Sequence, residues 1–142
     1  MRIYPDSSFI VSYYLQDAHS PETDRRMNLF PSLWITPLNH SELAHAISQF
    51  VFRGKLSAPE AKQAWADFQQ DCEQGIWIFS NLPETTWETS ISLARKHGPA
   101  FVVRTLDSLH VACALELKAK RFWTFDDRQV RLAEAVGLDT SA

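Results

Sequence analysis

The sequence predicts a small three-layer α/β domain, with a central, mostly parallel sheet flanked by helices, over residues 1–142. Three observations carry that expectation. The short apolar runs RIY, LWIT, IWIF and RFWTF alternate with stretches whose apolar residues recur at helical spacing. Strands separated by helices pair in parallel through crossovers that lay helices on both faces of the sheet. No linker, repeat or low-complexity segment divides the chain, and at this length it can bury roughly two-thirds of its extended surface.

RIY at 2–4 is the first strand, and a short helix starts at Ser7 or Ser8 and runs through FIVSYYL. A polar stretch leads through Ser20 and Pro21 into a second short helix ending near Phe30. LWIT, 33–36, is the second strand. Thr36 can cap and Pro37 fits the first helical position, so a long helix opens there and runs to Gly54. Ser57 and Pro59 open the next helix, whose stripe of Ala61, Ala64, Trp65 and Phe68 ends at Gly75. IWIF, 76–79, is the third strand. Pro83 begins a helix that HGP at 97–99 stops. Thr105 can cap LDSLHVACALELKAK, the most core-like helix. RFWTF is the fourth strand, and DRQVRLAEAVG is a last amphipathic helix.

Nine Phe, five Trp and an apolar content of 45% argue against a disordered chain. A formal charge of −3 gives no global pull toward polyanions, so nucleic-acid binding would have to come from local patches and metal ions. Cys72 and Cys113 lack CxxC spacing and read as reduced thiols of a cytoplasmic protein. The opening residues lack the order of a signal peptide. No apolar run approaches the roughly 20 residues of a spanning helix, so no membrane association is expected.

Four carboxylates stand out. Asp6 follows the first strand, Glu42 lies in the second turn of its helix, Asp107 lies in a first turn, and Asp126 follows the fourth strand. Each has a local explanation. Asp6 and Asp126 can cap helices, Asp107 complements a helix dipole, and Glu42 has capping-box spacing with Asn39, although Thr36-Pro37 competes for that helix start. Their placement is common, however: all four emerge on the side of a parallel sheet where ligands bind. Like charges gathered there call for a cation, and carboxylate oxygens suit magnesium or manganese. Such ions, with substrate phosphates and an attacking water, point to phosphodiester hydrolysis.

Competing sites are weaker. His110, three residues after Asp107, can contact it along the helix, but its apolar surroundings favour a hydrogen-bonded structural histidine. His40 and His45 group only loosely near Glu42. Phosphate loops, nucleophile elbows and zinc motifs are absent. Arg53, Lys55 and Arg128 are candidate RNA contacts on a groove rim, although at this net charge a solvated surface face is the leading explanation of each. The aromatic-rich first third, with Phe9, Tyr13, Tyr14 and Phe30, exceeds what short helices easily hide and suggests a contact surface.

At YPDSSFIVSYY, SELAHAI, LDSLHVACAL and FWTFDDRQVRLAEAVGL the sequence resembles the PIN-domain ribonucleases, and within them the VapC toxins of toxin-antitoxin pairs. The resemblance spans almost the whole chain in the expected order. It implies a magnesium- or manganese-dependent endoribonuclease, frequent homodimerisation and a small cognate antitoxin. Carried over residue by residue, its acidic site is Asp6, Glu42, Asp107 and Asp126, with Ser7 and Thr124 as polar neighbours. Periodicity leaves Asp126 and Asp127 nearly tied, and the Thr-Phe-Asp match favours Asp126. Pro5 departs from the usual aliphatic residue before the first Asp and removes a ladder donor. A non-catalytic nucleic-acid or protein-binding module on the same fold is the alternative. A phosphotransfer receiver would also cluster acids, but it needs a lysine after a late strand, and none is found there.

Overall fold

A computed structural model describes residues 1–142. The chain runs β1 (Ile3–Pro5), α1 (Ser7–Tyr14), α2 (Ser20–Met27), β2 (Leu33–Ile35), α3 (Pro37–Phe52), α4 (Ala58–Glu73), β3 (Trp77–Phe79), α5 (Thr86–His97), α6 (Thr105–Glu116), β4 (Arg121–Trp123) and α7 (Asp127–Ala135). The sheet order is β3-β2-β1-β4, and all three pairings are parallel.

Period-two alternation divides the strand side chains between two cores. Ile3, Leu33, Ile35, Trp77 and Trp123 join Phe9, Leu43, Ile47 and Phe68 on the face covered by α1, α3 and α4. Tyr4 and Phe122 join Leu93, Val111, Leu132 and Ala133 on the face covered by α5, α6 and α7. β1 and β2 are therefore clothed on both sides, and the residues that follow them, Asp6 and Thr36, leave the sheet into helix starts that open toward one end of it.

Pro5 is tolerated because it is the last residue of β1. The amide of Ile3 bonds Ser32 on the β2 side, whereas that of Asp6 bonds the Trp123 carbonyl of β4 at 2.9 Å. By alternation the donor that proline lacks falls on the β2 side. There the Asn39 side-chain amide donates to the Pro5 carbonyl at 3.1 Å and ties the strand end to α3. Asp6 keeps its ladder bond and its seat.

Several boundaries shift. α2 stops at Met27, and Phe30 lies beyond it in the left-handed region at φ 52°. α5 begins at Thr86, three residues after Pro83. Arg104, not Thr105, caps α6, because the Asp107 side chain accepts the Arg104 amide. That helix ends at Glu116, ahead of Lys118 at φ 58°. β4 ends at Trp123, so Thr124 and Phe125 already belong to the turn. Asn39 forms its capping box with Thr36 and accepts the Thr36 amide at 2.9 Å, which releases Glu42 from capping. The aromatic surplus is mostly internal: Phe9 is buried, and Tyr13 and Tyr14 pack against the first core. Of that group only Phe30 stands in solvent; Phe52, Trp87 and Ile91 are exposed elsewhere.

Candidate active site

The four carboxylates come from four separated segments and line one cavity of about 480 Å³ at the strand C-termini. Asp6 is 2% exposed and caps α1. Its Oδ1 accepts from the Ser8 hydroxyl at 2.6 Å and the Phe9 amide at 3.2 Å, and its Oδ2 accepts from Thr124 Oγ1 at 2.8 Å. Burial pushes its carboxyl above the usual range, and nearby His110 and these donors offset that only in part.

Glu42 projects from α3 as the helix of Thr36-Pro37 dictates. Its Oε1 accepts from the Ser7 hydroxyl at 2.8 Å and meets Nε2 of His110. Behind that ring, the Tyr4 hydroxyl lies 2.8 Å from Nδ1, with both residues buried. With Tyr4 donating to Nδ1, the ring hydrogen sits on Nε2 and is donated to Glu42. Burial raises the Glu42 carboxyl, but the His110 and Ser7 interactions outweigh it and hold the group below its ordinary value. A chain of Tyr4, His110 and Glu42 thus links the second core to the cavity.

Asp107 and Asp126 are held differently. Oδ2 of Asp107 accepts from the amide and Nε of Arg104 at 3.1 and 3.2 Å, and its Oδ1 accepts from Gln129 Nε2 at 3.3 Å. Asp126 caps α7, its Oδ1 accepting from the amides of Arg128 at 2.8 Å and Gln129 at 3.4 Å. Its Oδ2 faces the other end of the Arg104 guanidinium at 3.5 Å. One arginine therefore bridges two of the four acids.

The donor set suits a hard divalent cation: four carboxylates share a cavity, and Gln129, on the same wall, has a buried Oε1 with no partner. No three acidic, histidine or cysteine side chains converge closely enough to cage an ion by themselves. An oxygen-lined cleft that shares its ion with substrate phosphates and water is the arrangement magnesium usually takes. Asp6, Glu42, Asp107 and Asp126 would hold such an ion.

Asp127 is exposed and lines only an adjoining hollow with Val102 and Arg131, whereas Asp126 lines both that hollow and the acid cavity. Arg128 sits on that shared rim, 3.7 Å from Asp126. Arg53 and Lys55 are exposed beyond the end of α3 and line neither the acid cavity nor its neighbour. Sequence reasoning missed Arg104, Gln129 and Tyr4. Arg104 could have been found from its place three residues before Asp107, the capping-box interval; Gln129 and Tyr4 carry no such signal. A second cavity of about 750 Å³ continues from the first over α1 and α3 and shares Ser7, Ser8, Glu42 and Asp126. On its wall His19 stacks on Phe125 at 4.3 Å.

The chain belongs to the PIN domain family, whose model matches residues 3–135. No curated protein matches it in sequence. Its fold is similar to VapC20 of Mycobacterium tuberculosis, described as a sarcin-ricin loop cleaving toxin, at 14% identity and a TM-score of 0.73 over 98% of each chain. It is similar to VapBC2 from Rickettsia felis, solved with a DNA fragment from its promoter, at 12% identity and 0.73 over 99% of this chain and 98% of that one. FitAcB from Neisseria gonorrhoeae gives 12% identity and 0.69 over 99% and 96%. No helix is long and apolar enough to cross a membrane.

Proposed function

We propose that this protein is a magnesium- or manganese-dependent endoribonuclease, the cytoplasmic toxin of a toxin-antitoxin pair. The observation that carries the proposal is the meeting of Asp6, Glu42, Asp107 and Asp126 in one cleft. The family and the likeness to a toxin described as cleaving the sarcin-ricin loop support RNA as the substrate.

When bound, a divalent ion activates water and neutralises the leaving oxyanion. The chain does the rest. Ser8, the Phe9 amide and Thr124 fix both oxygens of Asp6, so the carboxylate keeps its orientation without an ion. Ser7 and His110 hold Oε1 of Glu42 and leave Oε2 without a partner in the chain. Asp126 uses Oδ1 for the helix cap and turns Oδ2 toward Asp107's partner, Arg104. The adjoining cavity, with Phe125 and His19 on its wall, offers a path for single-stranded RNA, since unpaired bases stack on such rings.

A small antitoxin and a second copy of the chain are the proposed partners, supported by the VapBC and FitAcB likenesses and by the exposed Trp87 and Ile91 on α5. The competing possibility, a binding module without catalysis, draws on the lack of a preformed three-ligand cage. Incubating structured RNAs with pure protein and manganese, beside an Asp107→Asn control, decides between them. Cleavage that requires both the ion and Asp107 is expected. Intact RNA, together with no heat of manganese binding, would leave the binding module.

A further inference from the structure

Arg104 is the only lysine or arginine lining the acid cavity. Its side chain is 60% exposed, whereas the Asp107 carboxylate it contacts is 3% exposed. The guanidinium spans Oδ2 of Asp107 and Oδ2 of Asp126, at 3.2 and 3.5 Å, with one nitrogen for each. It stands among the acids as a cation supplied by the chain itself.

Granted the nuclease activity proposed above, we propose that Arg104 is a substrate-positioning residue held in reserve by the acids. It neutralises Asp107 and Asp126 until a divalent ion takes those carboxylates, and it then transfers its guanidinium to an RNA phosphate at the cavity mouth.

Three features make the transfer cheap. An exposed guanidinium is screened by water, so its ion pairs hold it only weakly. Asp107 does not lose its orientation when the side chain leaves, because the Arg104 amide and Gln129 remain bonded to it. The planar fork that fits a carboxylate fits a phosphate equally well, and a substrate drawn to the ion brings that phosphate to the cavity. The acids that bind the ion thus release the cation that binds the substrate.

Two effects of opposite sign follow from Arg104→Met, which keeps the backbone bond to Asp107 and much of the stem. Manganese binding, measured by calorimetry without RNA, should tighten about threefold to tenfold because a competing cation is gone. At saturating manganese the KM for RNA should rise about tenfold, with kcat changed less. Arg104→Lys should return manganese affinity toward wild type while leaving KM high, because the charge is restored and the fork is not. Unchanged or weaker manganese binding in Arg104→Met, or an unchanged KM, overturns the proposal while wild-type cleavage leaves the nuclease standing. If neither wild type nor Arg104→Met binds manganese, the metal-dependent nuclease itself is refuted, and the role of Arg104 with it.

Discussion

The two halves of the acid cleft are held by opposite means. Asp6 and Glu42 are gripped mainly by uncharged donors, the hydroxyls of Ser8, Thr124 and Ser7 and the Phe9 amide, with the His110 imidazole, backed by Tyr4, against Glu42. Asp107 and Asp126 share an exposed arginine. Neutral donors orient a carboxylate without cancelling its charge, and a guanidinium does both. The first half is therefore a fixed wall whose charges are oriented but not cancelled, and the second is balanced by an exposed partner. A cleft built wholly in the first manner would carry unrelieved repulsion; one built wholly in the second would resist the ion.

The largest expected effect falls on the balanced half. Asp107→Asn removes a buried oxygen of the proposed ion site that two elements have oriented, and cleavage should fall by roughly a hundredfold or more while circular dichroism stays native. Wild-type rates in that variant would exclude Asp107 from the chemistry. Next in size is the contrast across the α7 cap. Asp126→Asn is expected to cost at least about tenfold in manganese-dependent cleavage, and Asp127→Asn only a few fold through a weaker helix start. Rates in the reverse order would move the functional acid to the neighbouring hollow.

Smaller effects sharpen the neutral half. His110→Leu leaves Glu42 without its buried donor and Tyr4 without its acceptor, which should cost about 1–3 kcal/mol of stability. It should also weaken manganese binding several-fold, and His110→Gln, which can still donate to Glu42, should recover part of both. Equal manganese affinity in all three proteins would reduce His110 to a packing residue.

The smallest effect is thermal. Because burial raises the Asp6 pKa in the folded chain, the native state binds more protons than the unfolded state as pH climbs from the unfolded value, about 3.9, to the folded one. Stability from this group is fullest below that window and is lost as pH rises through it. Asp6→Asn should consequently melt higher than wild type at neutral pH without divalent ion, the gain shrinking as pH falls through that window and gone below about pH 4. A variant that melts lower at pH 7 would show that the donors around Asp6 outweigh its burial.

Every aspartate of the cleft also performs the local task its sequence position suggests. Asp6 and Asp126 cap helices, and Asp107 closes a capping box. Capping and lining the cleft are compatible because a carboxylate has two oxygens, and an N-cap at a strand end already faces the side where ligands gather. Glu42 differs: Asn39 takes its capping role, and its free side chain reaches Ser7 and His110.

Much of this molecule was legible in one dimension. Alternation of apolar runs set the strand and helix order, Thr36-Pro37 and Ser57-Ala58-Pro59 set two helix starts, and strand-end acids marked the end of the sheet where the acid cavity opens, all of them short-range signals of sterics and hydrogen bonding. The tertiary structure alone decided that Arg104 lies between Asp107 and Asp126, which are 19 residues apart, and that Tyr4 reaches Glu42 through His110. It also decided that β4 stops two residues early, so that Thr124 can turn back to Asp6. These pairings depend on which strands are neighbours and how far each helix is rotated against the sheet. That information resides in the packing of two cores built from residues across the whole chain, and no local stretch of sequence contains it.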